Sequence, residues 1–283
     1  MPYSYVSVTV LKGTGALNID GTAYDTRLRQ VIEAVSTEID RHTFRTFQPQ
    51  IATYHYAGDG STLLRIHDLI SIGTLLEDTN KDGTFETGWA TTDYWLLPLN
   101  ADPTGTAGAW IRPHTTIQVR DSSDGTQDEF LKGGRNYRVT GTWGYGAWLS
   151  TAAAKGSGSL GSTATAYPVS TVGIEPGMTI LVDSEQMYVL STATTTLTVT
   201  RAVNGATAGT HADTSGIQYY SYPAPIVEAV LIQASRLWKR RESGYANQIG
   251  IPETGQMMIW KGGLDPDVQK LIISYKRLAG VPV

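Results

Sequence analysis

Cysteine is absent from all 283 residues, which excludes disulfide frameworks, thiol nucleophiles and thiolate metal sites together. Charge is sparse as well. Only 17% of residues are charged and the formal net charge is −4, so no global field draws the chain toward nucleic acid. No apolar run reaches the ~18 residues of a transmembrane helix, so no membrane partner is expected. The opening MPYSYVSVTVLKG lacks the basic start and long apolar stretch of a secretory signal. No Asn-x-Ser/Thr acceptor occurs either. What remains is a Gly- and Thr-rich chain, 41% hydrophobic, long enough for one large domain or two ordinary ones and expected to be made in the cytoplasm.

Residues 3–12, YSYVSVTVLK, alternate as a short strand or an extended arm would. The first helix is expected from about Tyr24 to His42, with Leu28, Val31, Ile32, Val35 and Ile39 on one core stripe and Asp25 in the acid-favouring first turn. His42 falls on the core side of that helix, where a structural histidine is expected. From Arg45 to Arg138 the period becomes two, and short apolar runs separated by Gly, Asp, Asn and Pro predict antiparallel strands. Residues 147–166 are small and polar and read as a linker. A small all-β unit follows to about Tyr220, with Asn204-Gly205 as a turn dipeptide.

The one strong helical pattern in the second half is PAPIVEAVLIQASRLWKRR, residues 223–241. Val227, Val230, Leu231, Ala234, Leu237 and Trp238 share one stripe, and the basic end suits the negative pole of the helix dipole. Asp265-Pro266 opens a last helix with Val268, Leu271, Ile272, Tyr275 and Leu278 on one face.

Few motifs carry chemistry. Gly156-Ser-Gly158-Ser-Leu-Gly161 has the letters of a dinucleotide fingerprint but neither the strand before it nor the helix after it. No phosphate-loop lysine motif and no Gly-x-Ser-x-Gly elbow occurs. Asp78, Asn80, Asp82 and Gly83 match the first half of a calcium loop. Its twelfth position, which should hold a bidentate carboxylate, is Trp89, and Glu86 at the ninth compensates only in part. A polar hairpin turn is therefore the favoured reading of Asp78–Glu86. The five histidines are scattered without paired metal spacing, and His67-Asp68 lacks a nearby nucleophile. No catalytic residue and no cofactor is expected. Candidate partner-binding residues are Ile232, Arg236, Lys239, Arg240 and Arg241 on the late helix, and the run Met257-Met258-Ile259-Trp260.

Four segments in order carry a resemblance: Ile39-Asp40-Arg41-His42-Thr43-Phe44-Arg45, Asp93-Tyr94-Trp95-Leu96-Leu97-Pro98-Leu99-Asn100, Arg138-Val139-Thr140-Gly141-Thr142-Trp143-Gly144-Tyr145-Gly146, and Pro225-Ile226-Val227-Glu228-Ala229-Val230 with Leu237-Trp238-Lys239-Arg240-Arg241. Together they resemble the head-to-tail connector (adaptor) proteins of tailed double-stranded-DNA bacteriophages. The resemblance covers about residues 22–146 and 222–243. Two departures stand out: Phe44 occupies the place of a usual glycine, and residues 147–221 separate Gly146 from the helix that normally follows within a few residues.

The resemblance implies an α+β fold, a small helical bundle packed with an antiparallel β-sheet. Residues 1–147 with 222–283 would form the body, and 148–221 an inserted all-β module. It further implies a ring-shaped homododecamer in the virion neck, binding the portal on one side and a downstream neck, stopper or tail protein on the other. Double-stranded DNA would pass through without sequence-specific binding, and the role would be assembly rather than catalysis. The alternative is a carbohydrate- or cell-surface-binding β module protein of a phage particle.

Overall fold

The computed structural model describes residues 3–13, 15–105, 111–120, 127–151, 160–168, 173–212, 215–242, 244, 248–251, 256–259 and 263–277. Along the chain run helices α1 (Val8–Lys12) and α2 (Asp25–Thr43), then strands β1 (Gln50–Gly58), β2 (Leu63–Glu77), β3 (Thr87–Gly88), β4 (Tyr94–Leu97), β5 (His114–Val119) and β6 (Gly133–Trp143). Next come β7 (Trp148–Thr151), β8 (Ala166–Pro168), β9 (Thr179–Val182), β10 (Glu185–Ala193), β11 (Thr196–Thr200) and β12 (Ile217–Ser221). Helix α3 (Ala224–Glu242), strands β13 (Gln248–Ile251) and β14 (Gln256–Ile259), helix α4 (Pro266–Ile272) and a 3-10 turn at Ile273–Tyr275 complete the order. Among the described residues the registered ladders are antiparallel, and the class is α+β.

The chain divides into two compact units. A helical unit comprises Met1–Phe44, Ser150–Val203 and Thr207–Lys276, and a sheet unit comprises Arg45–Leu149, Asn204–Ala206 and Arg277–Val283. The cut after Leu149 separates β6 from most of the second sheet. The helices, however, group with the second sheet rather than the first. Hydrogen bonds explain this: Arg29 donates to the Leu190 carbonyl at 2.7 Å, Tyr188 donates to Glu33 at 2.8 Å, and Ser4 donates to the Gly177 carbonyl.

In the helical unit α2 buries Leu28, Ile32, Val35 and Ile39 completely, as its spacing predicts, while Val31 is half-buried. It ends at Phe44, which adopts the left-handed conformation at φ +55° that usually selects glycine and leaves its ring 59% exposed. Helix α3 packs on α2. The Tyr24 ring meets Trp238 edge-on at 5.5 Å, and the Arg241 guanidinium lies 3.9 Å over Trp238. The buried face of α3 is Ile226, Ala229, Val230, Ala234 and Trp238, whereas Val227, Leu231 and Leu237 are only half-buried.

Residues 8–12 are helical where alternation predicts a strand. Ser7 Oγ accepts from Val10 N, Val8 N donates to the Pro176 carbonyl, and Val8 and Leu11, three apart, are both buried. The helical unit's sheet has the order β7-β12-β9-β10-β11-β8 around Tyr167, Ile180, Val182, Met187, Val189 and Leu197. The last helix is shorter than expected. Asp265 caps it, Val268 and Ile272 are buried, and the 3-10 turn takes over before Lys276, while Leu278 lies outside the described residues.

The sheet unit has the order β1-β6-β2-β5-β4, with β3 pairing the end of β2. Its core is aromatic: Trp89 stacks on Phe130 at 4.7 Å, and Tyr137 meets Phe130 edge-on at 5.2 Å. Asn204-Gly205 turns the chain, with φ of +56° and +80°, but not into a hairpin. Ile51 N donates to the Asn204 carbonyl at 2.8 Å, and a Cβ on Gly205 would stand 2.0 Å from the Ile51 oxygen. Only glycine permits that approach.

Candidate functional site

The turn from Asp78 to Glu86 joins β2 to β3, as the polar hairpin reading requires. Asp78 is buried, and its two oxygens accept from Asp82 N at 3.2 Å and Gly83 N at 2.8 Å. Asn80 Oδ1 also accepts from Asp82 N, Asp82 Oδ1 accepts from Thr84 N at 2.7 Å, and Glu86 accepts from Thr79 N and Oγ1. Oxygens of Asp78, Asp82 and Glu86 lie within 4.8 Å of one another. The Thr84 amide holds the Asp82 carboxyl below its usual range, and the Thr79 hydroxyl does the same for Glu86. The arrangement offers oxygen donors suited to a hard cation. It also closes as a hydrogen-bonded turn in its own right. Trp89, in the place of the twelfth ligand, points its indole N–H at Glu77 at 2.9 Å.

A second cluster of charges belongs to the helical unit, and no spacing in the sequence marks it. Glu185 is 1% exposed and accepts from Arg201 Nε at 2.8 Å, a second Arg201 nitrogen, the Ala202 and Gly209 amides at 3.0 and 2.9 Å, and His211 Nε2 at 2.9 Å. His211 Nδ1 meets Asp183 at 2.6 Å, and Ser215 donates to the same carboxylate. The remaining Arg201 donors reach the carbonyls of Gly161, Ala164 and Gly209. Burial alone would raise the Glu185 carboxyl; Arg201, Gly209, His211 and Ala202 together hold it down at about 2. Every guanidinium donor is occupied, so the cluster pins residues 201–212, which form no helix or strand, and Ser215 to the β9–β10 hairpin. Its chemistry is that of a structural clamp.

The other candidate residues are dispersed. Arg236 forms an ion pair with Asp265 at 2.8 Å, and Arg241 stacks on Trp238 and Tyr24, so both are engaged within their own unit. Arg240 is half-buried, and Lys239 is exposed. Ile232 is half-buried rather than exposed, because the buried face of α3 lies closer to it than the helical wheel suggested. Met257, Met258 and Ile259 lie in β14, paired to β13, and Trp260 lies outside the described residues. His42 is exposed, not core, since α2 buries Ile39 and Thr43 on either side of it. His67 and Asp68 face apart, as neighbours in a strand must. His67 meets the Tyr56 hydroxyl at 3.0 Å, and Asp68 accepts Arg45 at 2.6 Å.

Comparisons with models of protein families, with curated proteins and with solved structures find no match for this chain.

Proposed function

We propose that the protein is a structural component of a phage neck: a ring, dodecameric in the connector family it resembles, between the portal and a downstream neck, stopper or tail protein. Its finer architecture in this reading is a small helical bundle with an antiparallel sheet, formed by residues 1–147 and 222–283, into which the β module 148–221 is inserted. DNA passes through the ring without sequence-specific contact, and the activity is assembly.

The observation that carries this reading is the pairing of α2 with α3 through Tyr24, Trp238 and Arg241. The resemblance makes these two helices neighbours in the body, and they pack together although a six-stranded sheet is built mostly from the chain between them. Insertion into a loop whose ends stay close costs little, because loop-closure entropy grows slowly with length. Tyr145 N donates to the Thr46 carbonyl at 2.7 Å, so the end of the TGTWGYG segment meets the chain that leaves α2.

Native mass spectrometry of the protein alone and with purified portal rings tests the proposal. The expected result is a closed ring, or a complex with portal at symmetric stoichiometry. A persistent monomer that ignores portal overturns it.

A further inference from the structure

Within the sheet unit, β1 and β2 are joined by the short turn at residues 59–62, yet each pairs with another strand along its length. β1 pairs with β6, and the start of β2 pairs with β5. Two hydrogen bonds fix which way each main chain faces. Ile51 N reaches Asn204, away from β6, so by the alternation of an antiparallel ladder Thr53 and His55 also turn their main-chain groups away from β6. Val119 N donates to the Thr62 carbonyl, so Leu63 and Arg65 turn theirs away from β5.

These two edges belong to one hairpin, and a cleft of about 670 Å³ is lined by residues of both strands and their turn, among them His55, Asp59, Ser61, Leu63 and Arg65, together with Arg135. Ser61 Oγ engages both main-chain groups of Leu63, and the Tyr56 hydroxyl accepts from His67 N at 3.2 Å. Among the described residues, no protein group pairs with the main chain of Thr53, His55 or Arg65 at these edges. An open strand edge is a template for another chain.

The cleft sets two arginines, Arg65 and Arg135, against one carboxylate, Asp59, which Ser61 and then Arg65 hold below its usual range. Arg65 and Arg135 are exposed, and neither forms an ion pair among the described residues. Arg135 sits at φ +64° directly after Gly133-Gly134, a conformation that costs a non-glycine residue about 1 kcal/mol. Burial and then the charges of Arg135 and Arg138 lower the pKa of His55, so the positive field reaches into the cleft.

We propose that this cleft is a strand-addition site for an extended, acidic segment of a partner protein, which pairs its main chain with Thr53 and His55 of β1 and sets acidic side chains against Arg65 and Arg135. Main-chain pairing supplies affinity in this mode, and the pockets for alternate side chains supply selectivity. The open amide and carbonyl groups favour a peptide over a nucleic acid, and Arg65 and Arg135, which outnumber Asp59 in the cleft, favour carboxylates. The site is contained in the sheet unit and does not depend on the ring reading.

The probe is a fluorescein-labelled peptide of alternating Glu and Val/Thr, titrated into the full chain and followed by anisotropy. Saturable binding is expected, weakened at least about tenfold by each of three changes. These are Lys in place of Glu in the peptide, N-methylation of alternate peptide amides, and the double variant Arg65→Glu/Arg135→Glu. Both arginines are exposed, so the fold should persist; should the reversal not fold, Arg65→Gln/Arg135→Gln carries the test, checked by circular dichroism. No binding at about 1 mM peptide overturns the proposal. So does indifference to N-methylation or to charge reversal, and so does tighter binding of a single-stranded oligonucleotide of equal charge.

Discussion

Each of the two units buries a glutamate in its sheet, and each glutamate is 1% exposed. Glu77 in the sheet unit is met by neutral aromatic donors, Tyr137 O–H at 2.6 Å and Trp89 N–H at 2.9 Å. Glu185 in the helical unit is met by a guanidinium, an imidazole and two main-chain amides. The difference follows from what each must hold. Glu77 orients rings that already share an aromatic core, so two hydrogen bonds suffice. Glu185 anchors a long stretch without regular structure, whose carbonyls and amides need partners that no strand supplies.

Arg201→Met should break the comparison most severely. It leaves Glu185 buried without its cation, a loss of about 3–5 kcal/mol, read as the urea midpoint of the helical unit. The same contact sets a pH dependence. The folded Glu185 carboxyl is held at about 2, below its ordinary 4.5, so its stabilisation is complete above 4.5 and is lost as pH falls from there toward 2. Unfolding followed across that window should show a smaller loss in Arg201→Met than in the unchanged chain. Equal slopes would sink the assignment.

Glu77→Gln should cost less, about 1–2 kcal/mol, because a neutral amide still accepts from one of the two aromatic donors and no buried cation is stranded. The Trp89 emission spectrum should shift with it. Glu77→Gln proving as costly as Arg201→Met would mean the aromatic donors are not the milder arrangement.

Asp78→Ala should cost about 1–2 kcal/mol through the lost Asp82 and Gly83 bonds. If the turn is complete without a cation, calcium at about 5 mM should move the melting temperature by less than about 2 °C. A larger rise, abolished by Asp82→Asn, would make Asp78, Asp82 and Glu86 a cation site. Smallest of all, Lys239→Ala should change stability by no more than about 0.5 kcal/mol, since Lys239 is exposed.

Much of the helical pattern was legible. The i, i+3, i+4 spacing from Leu28 to Ile39 and the stripe ending at Trp238 are statements about one element, and burial follows the first closely and the second with a small rotation. The alternating runs between Arg45 and Arg138 likewise became β1 to β6. Residues 8–12 were not legible, because the partner of Val8 N is the Pro176 carbonyl, far along the chain. The clamp around Glu185 was not legible for the same reason. Asp183, Glu185, Arg201 and His211 have no common period, and only the β9–β10 hairpin and the return of residues 201–212 bring them together. For the Asp78 turn the residues were legible but not their use, since the same Asp and Asn oxygens serve a turn or a cation.

Composition and periodicity by themselves determined the absence of thiol chemistry, the two long helices and the Asp78 turn. These depend on residue type and on neighbours within a few positions. Tertiary structure alone decided that the helices join the second sheet, that His42 faces solvent, that Glu185 is clamped by Arg201 and His211, and that β1 and β2 leave a cleft lined by Arg65, Arg135 and Asp59. Each of those rests on a hydrogen bond or ion pair between residues remote in the chain, or on the path the folded chain takes, and no local pattern records either.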